Sequence, residues 1–217
     1  MEVKLISHTQ PVCIDADTIQ DLIAYCARVS NPENQMNKET TDKLLNYLMK
    51  HKHWSPFEMV NVCMEIETTR DIAHQIVRHR SFAFQEFSQR YANVGAMGDM
   101  FENREARLQD SKNRQNSIET EDDKLQFEWN NLQNMIMSHC KDAYDWAIEK
   151  GIAKEQARVV LPEGLTKTRL YMNGSVRSWI HYIELRSDNG TQKEHREIAI
   201  ECAKQLSVIF PQINKIT

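Results

Sequence analysis

The chain has 217 residues, 41% of them hydrophobic and 27% charged, with a formal net charge of −4. That is length for one sizeable core and the ordinary composition of a soluble globular protein. A mildly acidic whole excludes indiscriminate coating of nucleic acid or anionic membrane, so any anion site has to be local.

The first ten residues, MEVKLISHTQ, carry no cleavable secretory pattern. Ile19, Leu22, Ile23 and Cys26 then recur at helical spacing behind Asp17 or Thr18, either of which can cap, and predict a helix ending near Ser30-Asn31-Pro32. Leu44, Leu45, Leu48 and Met49 predict a second helix before a turn at Pro56. The period drops to two at Val60, Val62, Met64 and Ile66, the sign of a half-buried strand. Helical spacing returns over 71–79 through Ile72 and Ile76. Residues 103–123 are polar and predict an exposed or mobile insertion. Leu125, Trp129, Leu132, Ile136, Cys140, Ala143 and Ala147 predict a long helix closed by Lys150-Gly151. A shorter helix over AKEQARVVLP stops at Pro162, LTKTRLYMN reads as a strand, and 176–185 and 194–210 read as two more helices. No repeat or linker divides the chain. The order of elements predicts one α+β domain, 1–217, with a mixed sheet packed against long helices and a polar insertion near 103–123.

Several chemistries are excluded. Cys13, Cys26, Cys63, Cys140 and Cys202 are odd in number, far apart and without a C-x-x-C pair, which fits a reducing compartment and a cytoplasmic protein. The cysteines and histidines lack metal-ligand spacing, so no metal is expected. There is no H-E-x-x-H, Walker loop or G-x-G-x-x-G, and only six glycines to build such loops. No apolar run is long enough to span a bilayer.

One stretch stands apart. RHRSFAFQEFSQRY, residues 78–91, gathers Arg78, His79, Arg80 and Arg90 around Phe82, Phe84 and Phe87, with Glu86 among them. Cations closing a helix would explain an isolated RHR. They do not explain the continuation. Arginine forks bind phosphate in a bidentate way and aromatic rings pack on ring systems, so the combination reads as a nucleotide site. Gln75 and Arg78 share a face if the preceding helix runs that far.

R-H-R, seven residues, then Ser88 and Arg90-Tyr91 resembles the signature of the flavin-dependent thymidylate synthases. ARVS at 27–30, YLMKHKHWSPFE at 47–58, ARVVLP at 157–162 and VRSWIHYIELR at 176–186 resemble segments of that family in the same order. The resemblance implies a fold peculiar to the family and a homotetramer with active sites between subunits. It implies conversion of dUMP to dTMP, with methylenetetrahydrofolate as carbon donor, reduced FAD as hydride donor and NADPH as reductant. By position it implies FAD contacts at Ser30, His53, Ser55, Arg78, His79, Arg80, Glu86, Arg177 and His181. It implies dUMP contacts at Gln75, Arg78, Glu86, Phe87, Ser88, Gln89, Arg90, Arg158 and Arg186, with Arg90 and Arg158 on the phosphate. Arg186 is the implied catalytic residue, a fixed cation beside a pyrimidine that gains negative charge. Losing such a group often costs about 3–4 kcal/mol.

The chain departs from the pattern at Ala83, Gln85, Gln89, His181 and Gly190, around the flavin and nucleotide. A catalytically inactive flavin- or nucleotide-binding homologue is therefore one rival reading. A module binding single-stranded nucleic acid on the phenylalanines is another, and the acidic net charge weighs against it.

Overall fold

A computed structural model describes residues 2–12 and 14–215; Cys13 lies outside them. Its centre is a four-stranded sheet in the order β1 (Glu2–His8), β2 (Asn61–Thr69), β6 (Lys167–Ser175), β3 (Ala83–Glu86). Every pairing is antiparallel, so the sheet is not mixed. The alternation that reveals β2 is the reason: Val62, Met64 and Ile66 are buried on one face while the other face carries charge, a one-sided burial that suits antiparallel strands. On the charged face Arg169 pairs with Glu67. β2 and β6 run in register from Asn61 opposite Ser175 to Thr69 opposite Lys167.

β1 and β3 were not anticipated. Of the residues in β1 only Val3 is buried, so its apolar signal is weak, and its backbone pairing with β2 holds it. The third helix, α3 (Arg70–Ile76), ends before the predicted His79. The chain turns there, with Phe82 N–H donating to the His79 carbonyl at 3.3 Å. Phe82 then packs edge-on against Trp179 at 4.9 Å, a contact that continued helix would forfeit.

The other helices follow their sequence periods. α1 (Ile19–Ala27) is capped by the Thr18 hydroxyl, which accepts from Asp21 N–H. α2 (Thr41–Lys50), α6 (Val176–Arg186) and α7 (Lys193–Ser207) join α1 and α3 in covering the apolar face of the sheet. Ile23, Leu45, Phe57, Ile183, Leu206 and Phe210 are fully buried in that cluster. Trp179 Nε1 donates to the Val62 carbonyl at 3.0 Å, which ties α6 to β2.

α4 (Asp123–Glu149) starts at the cap Asp122 and ends before Gly151, whose φ of +75° suits glycine past a helix end. α5 (Lys154–Ala157) is one turn, tightened into a 3-10 segment, Arg158–Val160, as the β-branched pair before Pro162 is reached. Residues 103–123 contain a hairpin, β4 (Arg107–Gln109) with β5 (Ser117–Glu119). Asp110 holds its loop by accepting from Lys112 N–H at 2.7 Å and Asn113 N–H at 3.1 Å. No described helix is long and apolar enough to cross a membrane.

Candidate active site

The end of α6 and the turn after α3 meet at Arg186. Its Nε–H donates to His79 Nε2 at 2.9 Å. Burial, and then the guanidinium itself, push His79 down to about 4, so at neutral pH the ring is uncharged. With Nε2 accepting, the His79 proton sits on Nδ1. Tyr182, one turn before Arg186, stacks edge-on against His79 with centroids 4.9 Å apart.

A second histidine stands behind the first. His195 is fully buried on α7, and burial, with Arg186 and His79 nearby, brings it to about 3. Its Nδ1 lies 3.3 Å from Gln75 Oε1 and its Nε2 3.1 Å from the Tyr182 hydroxyl. Burial raises the Tyr182 phenol well above its usual range, so the hydroxyl keeps its proton and donates it. Nδ1–H then donates to Gln75. The chain continues in one sense: Gln75 Nε2 donates to Gln192 Oε1 at 2.8 Å, and Gln192 Nε2 to Glu194 Oε2 at 2.9 Å. Burial pushes Glu194 up, but the hydrogen bonds from Arg107, the Glu194 backbone and Gln192, with Arg104 nearby, together outweigh it and the carboxyl stays below its usual range. The chain thus ends on a carboxylate, and every amide in it has a fixed orientation.

The remaining predicted residues form two further groups. Glu86, on β3, accepts from Thr168 at 2.9 Å and from Arg70 at 3.2 Å. Beyond it Phe87 N–H donates to the Arg169 carbonyl at 2.8 Å, Ser88 is half-buried, and Arg90 is exposed with Glu155 of α5 at 3.5 Å. Arg158 follows directly on α5, so Arg90, through Glu155, and Arg158 both lie at that helix. Gln89 is accommodated indoors, 3% exposed, with a buried Nε2 that has no hydrogen-bond partner. In the third group His181, on α6, is exposed and lies edge-on to Trp54 at 5.0 Å. With Lys50 and Lys52 they line a cavity of about 480 Å³. His53 and Ser55 flank Trp54 and are exposed, as is Ser30 after α1. Arg177 is tied to Glu58 at 2.6 Å, and Glu58 is held low by the Ser175 hydroxyl and then by Arg177. Arg78 and Arg80 are exposed and have no carboxylate partner among the described residues. Gln75, His79 and Arg186 are therefore together in one protomer. Among the described residues no hydrogen bond or ion pair joins them to Ser88, Arg90 or Arg158.

A sequence profile described as thymidylate synthase complementing protein matches residues 4–212. The chain belongs to that family. A relative named probable flavin-dependent thymidylate synthase, from Paramecium bursaria Chlorella virus 1, is 50% identical over 215 residues, 99% of this chain and 98% of the relative. A flavin-dependent thymidylate synthase from Synechocystis is 50% identical over 216 residues, 98% and 97% of the two chains. Among solved structures, a UMP/dUMP methylase, PolB of Streptomyces cacaoi, bound with 5-Br dUMP, superposes with a TM-score of 0.82 at 23% identity, covering 99% of this chain and 93% of its own. That likeness shows the family's α+β fold.

His195, Tyr182 and Gln192 escaped the sequence reading. One signal was present: His195 shares a helical stripe with Ile198, Cys202 and Leu206, all buried, and a histidine in such a stripe needs partners for both nitrogens. Its contact with Gln75, 120 residues earlier in the chain, had no local sign.

Proposed function

We propose that this chain is a flavin-dependent thymidylate synthase. It methylates dUMP to dTMP, taking the carbon from methylenetetrahydrofolate and the hydride from FADH2, with NADPH as reductant. It works as a cytoplasmic homotetramer with active sites between subunits. The observation that carries this is end-to-end relation, at 50% identity, to two chains of that name. The Arg186–His79 pair supports it with a guanidinium held in one orientation by a hydrogen bond of 2.9 Å.

The residues present fit a flavin dinucleotide. Arg78 and Arg80 are cations without a carboxylate among the described residues, and the cavity beside Trp54 offers an aromatic edge, His181 and three lysines, Lys50, Lys52 and Lys215, against one carboxylate, Glu184. Such donors suit a group that is both ring-shaped and anionic. Ser30, His53, Ser55, Arg78, His79, Arg80, Glu86, Arg177 and His181 would hold it. When bound it supplies the hydride chemistry that no side chain can.

The protein's own work is placement and charge. Gln75, its amide orientation set by His195 and Gln192, presents fixed polar atoms to the pyrimidine. Arg186, its guanidinium aimed by neutral His79, faces the ring that gains negative charge as C5 loses its proton and acquires the folate carbon. A charged His79 would repel Arg186, so its depressed pKa keeps the pair together. Arg90 and Arg158 hold the phosphate, with Phe87, Ser88 and Gln89 alongside; the unpartnered Gln89 Nε2 is a donor in search of an oxygen. Arg78 and Glu86 border both ligands. Among the described residues no hydrogen bond or ion pair joins Arg186 to Arg90, and we assign completion of each site to a neighbouring subunit.

Purified protein should be yellow and should release tritium from 5-tritiated dUMP only when methylenetetrahydrofolate and NADPH are both present. Yellow protein that releases none would make the chain an inactive homologue. Colourless protein that binds single-stranded DNA would overturn the reading altogether.

A further inference from the structure

The hairpin of β4 and β5 faces the start of α7 and the loop before it, and between them lies a cavity of about 580 Å³. Arg107, Arg114, Lys193 and Arg196 line it, against one carboxylate, Glu119. Two of these cations are answered by carboxylates: Arg107 by Glu194 at 2.5 Å, and Lys193 by Glu105 at 2.7 Å and Glu119 at 2.6 Å. The other two have no carboxylate within ion-pair distance among the described residues. Arg196 donates to the neutral Asn189 Oδ1 at 3.1 Å. Arg114 has no side-chain hydrogen bond or ion pair among the described residues. Arg107 Nη1 is buried without a hydrogen bond, with the Glu105 carboxylate at 3.7 Å. Glu119 sits below its usual range through the Lys193 hydrogen bond first, with Arg107 and Arg196 adding to it, as expected where positive charge is in surplus.

A chain that is acidic overall has thus gathered guanidinium groups around an open space, an arrangement that favours an anion. The space also adjoins the Arg186 site. Gln192 lines it and at the same time accepts from Gln75 at 2.8 Å. The hairpin side of the wall is held in place. Arg104 N–H donates to Gln133 Oε1 and Gln133 Nε2 donates to the Arg104 carbonyl, both at 2.8 Å. Gln126 grips Ala106 in the same two-way manner at 2.8 and 2.9 Å.

We infer that this cavity is a subsite for a multiply charged oxyanion at the far end of a co-substrate whose reactive end lies near Arg186. Phosphate and carboxylate groups share the chemistry, so the tail is either the phosphates of a nicotinamide dinucleotide or the glutamyl carboxylates of a folate. That the tail belongs to a co-substrate rests on the function proposed above; the anion subsite does not.

The test starts with inorganic tripolyphosphate titrated into the flavin-loaded protein at low salt by calorimetry. Wild type should bind it, with slowed hydrogen exchange over 107–119, and Arg114→Ala/Arg196→Ala should weaken binding about tenfold or more. Arg114→Ala alone, on an exposed loop, should weaken it in the same direction and serves if the double variant does not fold. Absence of binding, or binding indifferent to both variants, overturns the subsite. Steady-state kinetics of the same variants then separate the sources. A raised KM for NADPH but not NADH assigns the dinucleotide 2′-phosphate, and a raised KM for polyglutamyl but not monoglutamyl folate assigns the folate tail. If neither moves, the link to a co-substrate is wrong. Should wild type bind tripolyphosphate yet release no tritium from dUMP, the function above fails and the anion subsite stands.

Discussion

Arg186 and His79 show how two charges' worth of chemistry is reduced to one. Burial keeps His79 neutral, and the guanidinium beside it, which cannot lose its proton, drives it the same way. Arg186→Ala should lower turnover by about 10²–10³ while leaving flavin bound, as measured by tritium release against visible absorbance. Loss of flavin with normal dUMP binding would reverse the assignment of roles. Arg80→Ala should do the opposite and weaken flavin retention. The two neutral histidines also predict a pH effect on stability. Their folded values, about 4 and about 3, lie below the ordinary 6.5. The unfolded chain therefore binds protons first as pH falls, and stability declines from about 6.5 down to about 3, with no contribution from these groups above that window. In His195→Asn, which keeps hydrogen-bonding atoms but does not titrate, the melting temperature should fall less steeply over that window. An unchanged slope would mean that His195 is not the neutral partner of Gln75.

Strand β6 and the segment before α4 each depend on one small detail of packing. Gly174 lies on β6 where an added Cβ would come within 2.4 Å of the Phe82 ring. Phe82 is itself wedged on Trp179, so Gly174→Ala should destabilise the protein by about 1–3 kcal/mol, read from urea unfolding. A neutral result would mean that the turn after α3 yields easily. Gln133, only 1% exposed, satisfies both backbone groups of Arg104. Gln133→Ala strands them, and hydrogen exchange over 103–120 should quicken while the central sheet stays protected. The helices and β2 could be read from periodicity because each buries one regular stripe. β1, β3 and the hairpin could not, because their burial is slight and backbone pairing with distant segments holds them. Residues 103–123 are polar throughout, and their order comes from Gln126, Gln133 and Arg107, whose partners are 20, 29 and 87 residues away.

Across the molecule, α4 carries an exposed apolar stripe. Trp129, Leu132 and Ile136, predicted as part of an apolar stripe, are 41%, 50% and 43% exposed in the protomer, with Phe127, Met135 and Trp146 beside them. An amphipathic stripe of this length without a partner in its own chain fits the proposed assembly of subunits. Leu132→Glu/Ile136→Glu should shift the protein to a smaller species in light scattering and abolish turnover, because Arg90 and Arg186 would no longer serve one site. An unchanged mass would place the subunit contact elsewhere. The local order of residues was enough to mark the helical stripes, the alternation of β2, the RHR stretch and the family those residues belong to, since periodicity and motif act over a few neighbouring positions. Which amide meets His195 and which carboxylate meets Arg107 were settled by folding. Those contacts join segments a hundred residues apart, and no local pattern encodes the partner at the other end.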